Sequence, residues 1–168
     1  MSKARLKKIS TEREYLLTAD LAHQIWREHY SAFIGADQIE YMLEKFQSVN
    51  ALKAAVAADG YEYYLIKKTG VPIGYAGIKT NHPAGKLFLS KFYILKDYRG
   101  RGFAKDVIAE LIDMASRLRL KSIWLTVSKN NESAMTAYRR LGFTQTDSIC
   151  MDIGGGFVMD DYIFERSV

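Results

Sequence analysis

The run Tyr93-Ile94-Leu95-Lys96-Asp97-Tyr98-Arg99-Gly100-Arg101-Gly102-Phe103-Ala104-Lys105 leaves the chain around it little freedom of fold. Before it, Leu87, Leu89, Tyr93 and Leu95 share one parity, the period of a strand with one buried face. After it, Phe103, Val107, Leu111, Ile112, Ala115 and Leu118 recur at helical spacing. Between the two lie a pair of glycines flanked by basic residues, so the segment reads as strand, Gly-rich turn, helix. The first turn of such a helix presents backbone N–H groups with no internal partner. Gly100 and Gly102 remove the side chains that would keep a ligand away, and Arg99, Arg101 and Lys105 add positive charge. That combination suits a phosphate or pyrophosphate at a helix N-terminus.

The rest of the chain divides by the period of its apolar pattern. Residues 1–10 are basic, with Leu6 and Ile9 suited to a first strand, although a frayed end has the same composition. Thr18 or Asp20 is placed to cap a helix with Leu21, Ile25, Trp26, His29 and Phe33 on one side. Gly35 interrupts it, and Asp37 is the expected cap of a second helix carrying Ile39, Met42, Leu43 and Phe46. A short Ala-rich helix, 51–58, ends at Gly60. From Tyr61 the period becomes two: 61–66 and 73–78 read as strands, with turns at 69–72 and 81–85, before the long strand 87–95. Residues 121–127 form the strand after the central helix, and a strand–helix–strand connection sets it parallel to 87–95. Trp124, of opposite parity to Ile123 and Leu125, is expected in the core. Asn130 or Asn131 caps a helix with Ala134, Met135, Ala137, Tyr138 and Leu141, closed by Gly142. Phe143 opens a strand, 154–156 is a hairpin loop, and 157–164 closes the sheet.

Two motifs narrow the anion. No P-loop, G-x-x-x-x-G-K-[ST], occurs, and a dinucleotide fingerprint fails where Lys105 takes the third glycine position. R-x-x-G-x-A does fit, written by Arg99, Gly102 and Ala104. A second run, V-x-x-x-N-x-x-A-x-x-x-Y-x-x-x-G-F, is written by Val127, Asn131, Ala134, Tyr138, Gly142 and Phe143. With both motifs in this order on these elements, the chain resembles the GNAT superfamily of N-acetyltransferases over nearly its whole length. The departure is small: Ala104 stands where glycine is commoner.

The resemblance implies an α/β (α+β) fold. Its central sheet would be mixed, mostly antiparallel and six- to seven-stranded, with helices on both faces and a splayed pair of parallel strands at the cofactor site. It implies one N-acetyltransferase domain over residues 1–168 and acetyl-CoA as cosubstrate. In that family the first motif grips the pyrophosphate and pantetheine arm, a role carried over to Arg99, Gly100, Arg101, Gly102, Phe103 and Ala104. The pantetheine amides would meet the free backbone edge near Tyr93 and Ile94, where the Ile94 N–H would polarise the thioester carbonyl. Asn131 is placed to bond the pantetheine. Tyr138, two helical turns further along the same face, is placed to protonate the leaving CoA thiolate. A packed aromatic with a wet hydroxyl is the alternative for Tyr138.

The acceptor is less constrained. An amine of pKa about 10.4 is neutral in only about one molecule in a thousand near pH 7.4, a cost of about 4 kcal/mol. Glu28, Glu40, Glu44, Tyr64, Asp160 and Asp161 are candidate bases, and spacing singles out none. The helix-rich N-terminus, Gln145-Thr146 and the Asp160-Asp161-Tyr162-Ile163 run make the layout similar to bacterial spermidine/spermine N-acetyltransferases. Glu40, Glu44, Asp160 and Asp161 can attract a polyamine, while the net charge of +5 argues against a broad acidic funnel. A protein N-terminus, an amino sugar or a small amino-acid analogue stays open as acceptor. So does a CoA-binding regulatory module without turnover, against which Tyr138 argues. A nucleic-acid binder is disfavoured because the basic residues are scattered.

Composition bounds the remainder. The chain has 168 residues, 48% hydrophobic and 26% charged, enough for a proper core. No membrane-length apolar run or signal-peptide pattern occurs, and the single Cys150 cannot form an internal disulfide, so a cytoplasmic protein with no membrane partner is expected. His23, His29 and His82 lack ligand-spaced neighbours, so no metal is expected. A homodimer through the edge of the final strand is one expectation.

Overall fold

Thr11 and Glu14 begin α1 (Glu12–Tyr30) with a reciprocal cap: the Thr11 side chain accepts from the Glu14 N–H, and the Glu14 carboxylate accepts from the Thr11 N–H at 3.1 Å. The expected cap at Thr18 or Asp20 is thereby corrected. Thr18 is buried inside the helix and its hydroxyl donates to the Glu14 carbonyl at 2.8 Å. α2 (Ala36–Gln47) opens at Gly35 without a side-chain cap, so Asp37 is not its cap. Asp37 instead sits in the first turn, where a carboxylate is favoured by the helix dipole. α3 (Val49–Ala58) starts earlier than expected because the Ser48 side chain accepts from the Ala51 N–H.

The computed structural model describes residues 2–168, and its strands form one sheet. These are β1 (Ala4–Lys8), β2 (Glu62–Lys68), β3 (Val71–Thr80), β4 (Lys86–Ile94), β5 (Ser122–Ser128), β6 (Thr144–Gly154) and β7 (Phe157–Ser167). Their order is β1-β2-β3-β4-β5-β7-β6, and β4 and β5 are the one parallel pair. α4 (Phe103–Arg117) makes the crossover between those two strands, and α5 (Glu132–Arg140) links β5 to β6.

Helices cover both faces. On one, Phe103, Val107, Leu111 and Ala115 of α4 and Met135 of α5 pack with Leu87, Leu89, Ile123, Leu125 and Phe164. On the other, Ile25 and Trp26 of α1, Leu43 of α2 and Leu52 of α3 pack with Tyr63, Leu65 and Tyr75.

Three expectations fail here for non-local reasons. Leu87, Leu89, Tyr93 and Leu95 share parity but not a face. Leu89 pairs with Ile78 and Lys91 with Gly77, so Ser90 is an extra residue in β4. Beyond that bulge Ile94 joins the α4 face, while Tyr93 and Leu95 turn to the α1 face. Trp124 belongs to neither core: it is half-exposed, stacks on Phe88 with ring centroids 4.2 Å apart, and donates its N–H to the His82 carbonyl at 2.7 Å. β7 offers no edge for a homodimer, since β5 and β6 pair with it on either side and the free edges are β1 and β6.

Candidate active site

The ladder between β4 and β5 stops early. Lys86, Leu87 and Phe88 pair with Ser122, Ile123 and Trp124, and the bulge at Ser90 follows. Past it, the Leu95 N–H donates to the Ile73 carbonyl at 2.8 Å. Strand alternation therefore turns the Ile94 N–H to the opposite edge, into the gap on the β5 side. Gly74 permits this arrangement: a Cβ there would lie 2.2 Å from the Tyr93 carbonyl oxygen. Nothing about Gly74 in the sequence marks it apart from its neighbours in the strand.

The turn after β4 is built for a main-chain contact. Gly102 is the N-cap of α4 at φ 86°, a left-handed conformation that glycine adopts without strain. Apart from the adjoining backbone, no atom lies within 4 Å of where a Cβ would stand at Gly100 or Gly102, so the space beside the first turn of α4 is open. Arg99 ties this turn to the strand, its Nε donating to the Ile94 carbonyl at 2.8 Å. Arg101 donates to the Asp97 carbonyl at 3.3 Å and lies over the Tyr98 and Phe103 rings. Phe103 sends its side chain into the core, so its backbone is what remains for a ligand. Ala104 packs half-buried against the same core.

Asn131 and Tyr138 approach from α5. Asn131 is the N-cap: its Oδ1 accepts from the Ala134 N–H at 3.2 Å, while its Nδ2 lies 2.9 Å from Nε2 of His29. A donor amide facing Nε2 requires the neutral imidazole with its proton on Nδ1. Burial, reinforced by the nearby Arg99 charge, pushes the His29 pKa down and favours that neutral form. The Tyr138 ring packs edge-on against Phe143 at 5.7 Å and near Phe164 at 6.5 Å. Burial, with the neighbouring Tyr30, pushes the Tyr138 phenol well above its usual range, so it stays protonated.

Tyr93 divides its roles. Its side chain turns to α1, where its hydroxyl lies 2.7 Å from that of Tyr30 within an aromatic cluster that includes Trp26 and Tyr75. That cluster is pinned by a buried chain: Trp26 Nε1 donates to the Tyr75 hydroxyl at 2.7 Å, which donates to Gln47 Oε1 at 3.0 Å.

The candidate bases separate clearly. Glu28 and Glu44 are exposed, and Tyr64 is buried on the α4 face. Glu40 pairs with Arg27 at 2.7 Å and Asp160 with Lys129 at 2.8 Å. Asp161 differs from all of them: it is 4% exposed, and its Oδ1 has no hydrogen-bond partner. Burial raises its pKa, while the Thr126 hydroxyl and the Lys91 charge favour the ionised form. It lines a cavity of about 110 Å³ with Tyr30, Ile34, Ser128, Asn130 and Met159. Lys91, half-buried, donates to Ser90 Oγ at 3.0 Å, and burial pushes its pKa down to about 8. Tyr30 and Lys91 carry no motif. Among the described residues, no three of His, Cys, Asp and Glu converge as a metal site, and no helix is long and apolar enough to cross a membrane.

Comparison with known proteins follows the same lines. Residues 21–143 match the acetyltransferase (GNAT) family. The uncharacterized N-acetyltransferase YycN of Bacillus subtilis (strain 168) is 32% identical over 68 residues, 40% of this chain and 44% of that protein. The spermine/spermidine N(1)-acetyltransferase of the same organism is 35% identical over 60 residues, 35% of this chain and 40% of that one. The matched segments thus span less than half of either relative. The PaiA N-acetyltransferase from Thermoplasma acidophilum, solved in complex with coenzyme A, superposes with a TM-score of 0.80 at 18% identity, over 99% of each chain. The spermidine N-acetyltransferase from Vibrio cholerae, solved with CoA and spermine, superposes with a TM-score of 0.68 at 17% identity, over 98% of this chain and 95% of that one. At these identities the solved structures speak to the fold. The family match covers the splayed strands, the glycine turn and both motifs, and the chain belongs to the GNAT acetyltransferase family.

Proposed function

We propose that this chain, as one domain over residues 1–168, transfers an acetyl group from acetyl-CoA to a primary amine by direct attack. One observation carries this reading: a backbone edge beyond the last β4–β5 pair meets the open glycine turn of α4, with Tyr138 approaching from α5. When bound, acetyl-CoA supplies the activated acyl group. The residues fit that cosubstrate. The uncapped first turn of α4 and the open space at Gly100 and Gly102 suit a pyrophosphate. The Ile94 N–H suits the thioester carbonyl oxygen, where fixed donors stabilise developing negative charge. Arg99 bonds the Ile94 carbonyl, which alternation places on the same edge as that N–H. Tyr138, kept protonated by burial, is the donor for the departing thiolate. Asn131 is available to a pantetheine amide if its contact with His29 gives way.

A polyamine is the finer version of the acceptor, supported by relatives whose names include spermine and spermidine. The acids lining the cavity support a smaller amine, because Asp160 is already paired with Lys129 and Asp161 alone is left. The lone, exposed Cys150 fits a reducing compartment, the cytoplasm.

The test is release of CoA thiol from acetyl-CoA across polyamines, amino sugars, amino acids and peptide N-termini. Turnover with a primary amine is the expected result, and the amine that turns over fixes the acceptor class. Tight CoA binding with no turnover on any amine would replace the enzyme with a regulatory module. Absence of CoA binding would overturn both.

A further inference from the structure

We infer that Asp161 is the residue that holds the ammonium group of the acceptor, and that the acceptor is a compact primary amine presenting one ammonium to the site. This rests on the acetyl-transfer reading above and specifies its second substrate.

A carboxylate 96% removed from solvent with a bare oxygen is costly to keep, because burying a charge without a donor loses its hydration for nothing. Its cationic neighbours do not fill the gap. Lys91 bonds to Ser90, and Lys129 bonds to Asp160. Their charges reach Asp161, but the hydrogen bonds they make go to Ser90 and Asp160. The cavity that Asp161 lines has the complementary character. Ile34 and Met159 offer an apolar wall for a short stem, and Tyr30, Ser128 and Asn130 add polar residues to the lining. A primary ammonium brings three N–H donors to such a place.

The location suits the reaction. Asp161 pairs across from Ser128, at the C-terminal end of β5, which is the end where β4 and β5 have parted and α5 begins. Tyr30 borders the same cavity, bonds to the Tyr93 hydroxyl, and lies near enough to Tyr138 to affect its ionisation. An amine held at Asp161 therefore sits on the α1 side of the splay, while the glycine turn opens α4 on the other. A long polyamine finds no second unpaired carboxylate in the cavity lining, where the other acid, Asp160, is committed to Lys129. Of the four acidic residues that the sequence offers to a polyamine, Glu40 and Asp160 are paired and Glu44 is exposed and does not line the cavity, which leaves Asp161 as the buried one.

The experiment is calorimetric titration of the CoA-loaded protein with n-butylamine and with spermidine. Asp161→Asn, which keeps the shape and removes the charge, should weaken butylamine binding by about tenfold or more and leave CoA affinity unchanged. Glu44→Gln removes an exposed acid of equal charge and should change neither. Spermidine should bind no more tightly than butylamine. Equal losses in the two variants, no loss in Asp161→Asn, or no butylamine binding to the wild type would each overturn the inference; a hundredfold preference for spermidine would overturn the compact acceptor. A second reading needs no variant: the Asp161 carboxyl carbon resonance of the wild type should move on adding butylamine, and a fixed resonance counts against the site. Butylamine bound at Asp161 without release of CoA thiol would preserve this assignment and remove the acetyl-transfer reading instead.

Discussion

The α4 face of the sheet presents backbone to its site, whereas the α1 face presents side chains. On the α4 side, glycines hold a left-handed turn, α4 leaves its first N–H groups free, and Phe103 turns inward to pack. On the α1 side, Tyr30 meets Tyr93, His29 meets Asn131, and Trp26, Tyr75 and Gln47 form a buried chain. The difference follows from what each side has to recognise. A pyrophosphate can be held by N–H dipoles that every residue carries, so binding there depends on conformation more than on residue type. An amine has to be distinguished from other amines, and only side chains of particular charge and shape do that.

If the α4 side acts with backbone and Tyr138 acts as a proton donor, two substitutions should separate the roles. Tyr138→Phe should lower kcat by about a hundredfold, the lower end of what a lost general acid costs, with acetyl-CoA binding within about twofold of wild type. An unchanged kcat would leave Tyr138 as packing alone. Gly102→Val should weaken CoA binding by about tenfold or more, since a branched side chain at φ 86° is strained and projects into the open space beside α4. CoA affinity that survives this change, measured by calorimetry, would move the cofactor away from the turn.

The α1 side is tested through stability. Tyr75→Phe strips a partner from both the Trp26 N–H and the Gln47 side chain, and should cost about 2 kcal/mol in denaturant unfolding. A loss below about 0.5 kcal/mol would mean that the aromatic box does not depend on this chain. The smallest effect concerns the start of α1. Glu14→Gln should cost about 1 kcal/mol at neutral pH by weakening the reciprocal cap. The Lys7 ammonium and the Thr11 and Ser10 N–H groups hold the Glu14 carboxyl down at about 2. A depressed folded-state pKa means that this contribution is complete above pH about 4.5, shrinks as the pH falls, and is gone below about 2. The gap between wild type and variant should close across that window; a constant gap would assign the loss to packing.

How far these features could be read in advance depended on how local they are. The T-x-x-E cap at Thr11 was legible as a pattern, but Thr18 and Asp20 offer rival caps just before the strongest apolar spacing. Gly100 and Gly102 were legible because the turn, its charges and α4 are contiguous. Asn131 was legible as a cap for the same reason, although its contact with His29, more than a hundred positions away, was not.

What the sequence by itself determined is the material that lies within one strand, one turn and one helix. Backbone dihedrals and apolar period are local quantities, and neighbouring residues suffice to set them. What only the tertiary structure decided is which of those elements share a face. A bulge at Ser90 reversed the parity of β4 and sent Tyr93 to α1. The placement of β7 between β5 and β6 buried Asp161 and took away the final strand's edge. Burial and unmet hydrogen bonds are properties of what surrounds a group, and those surroundings come from segments far apart in the chain.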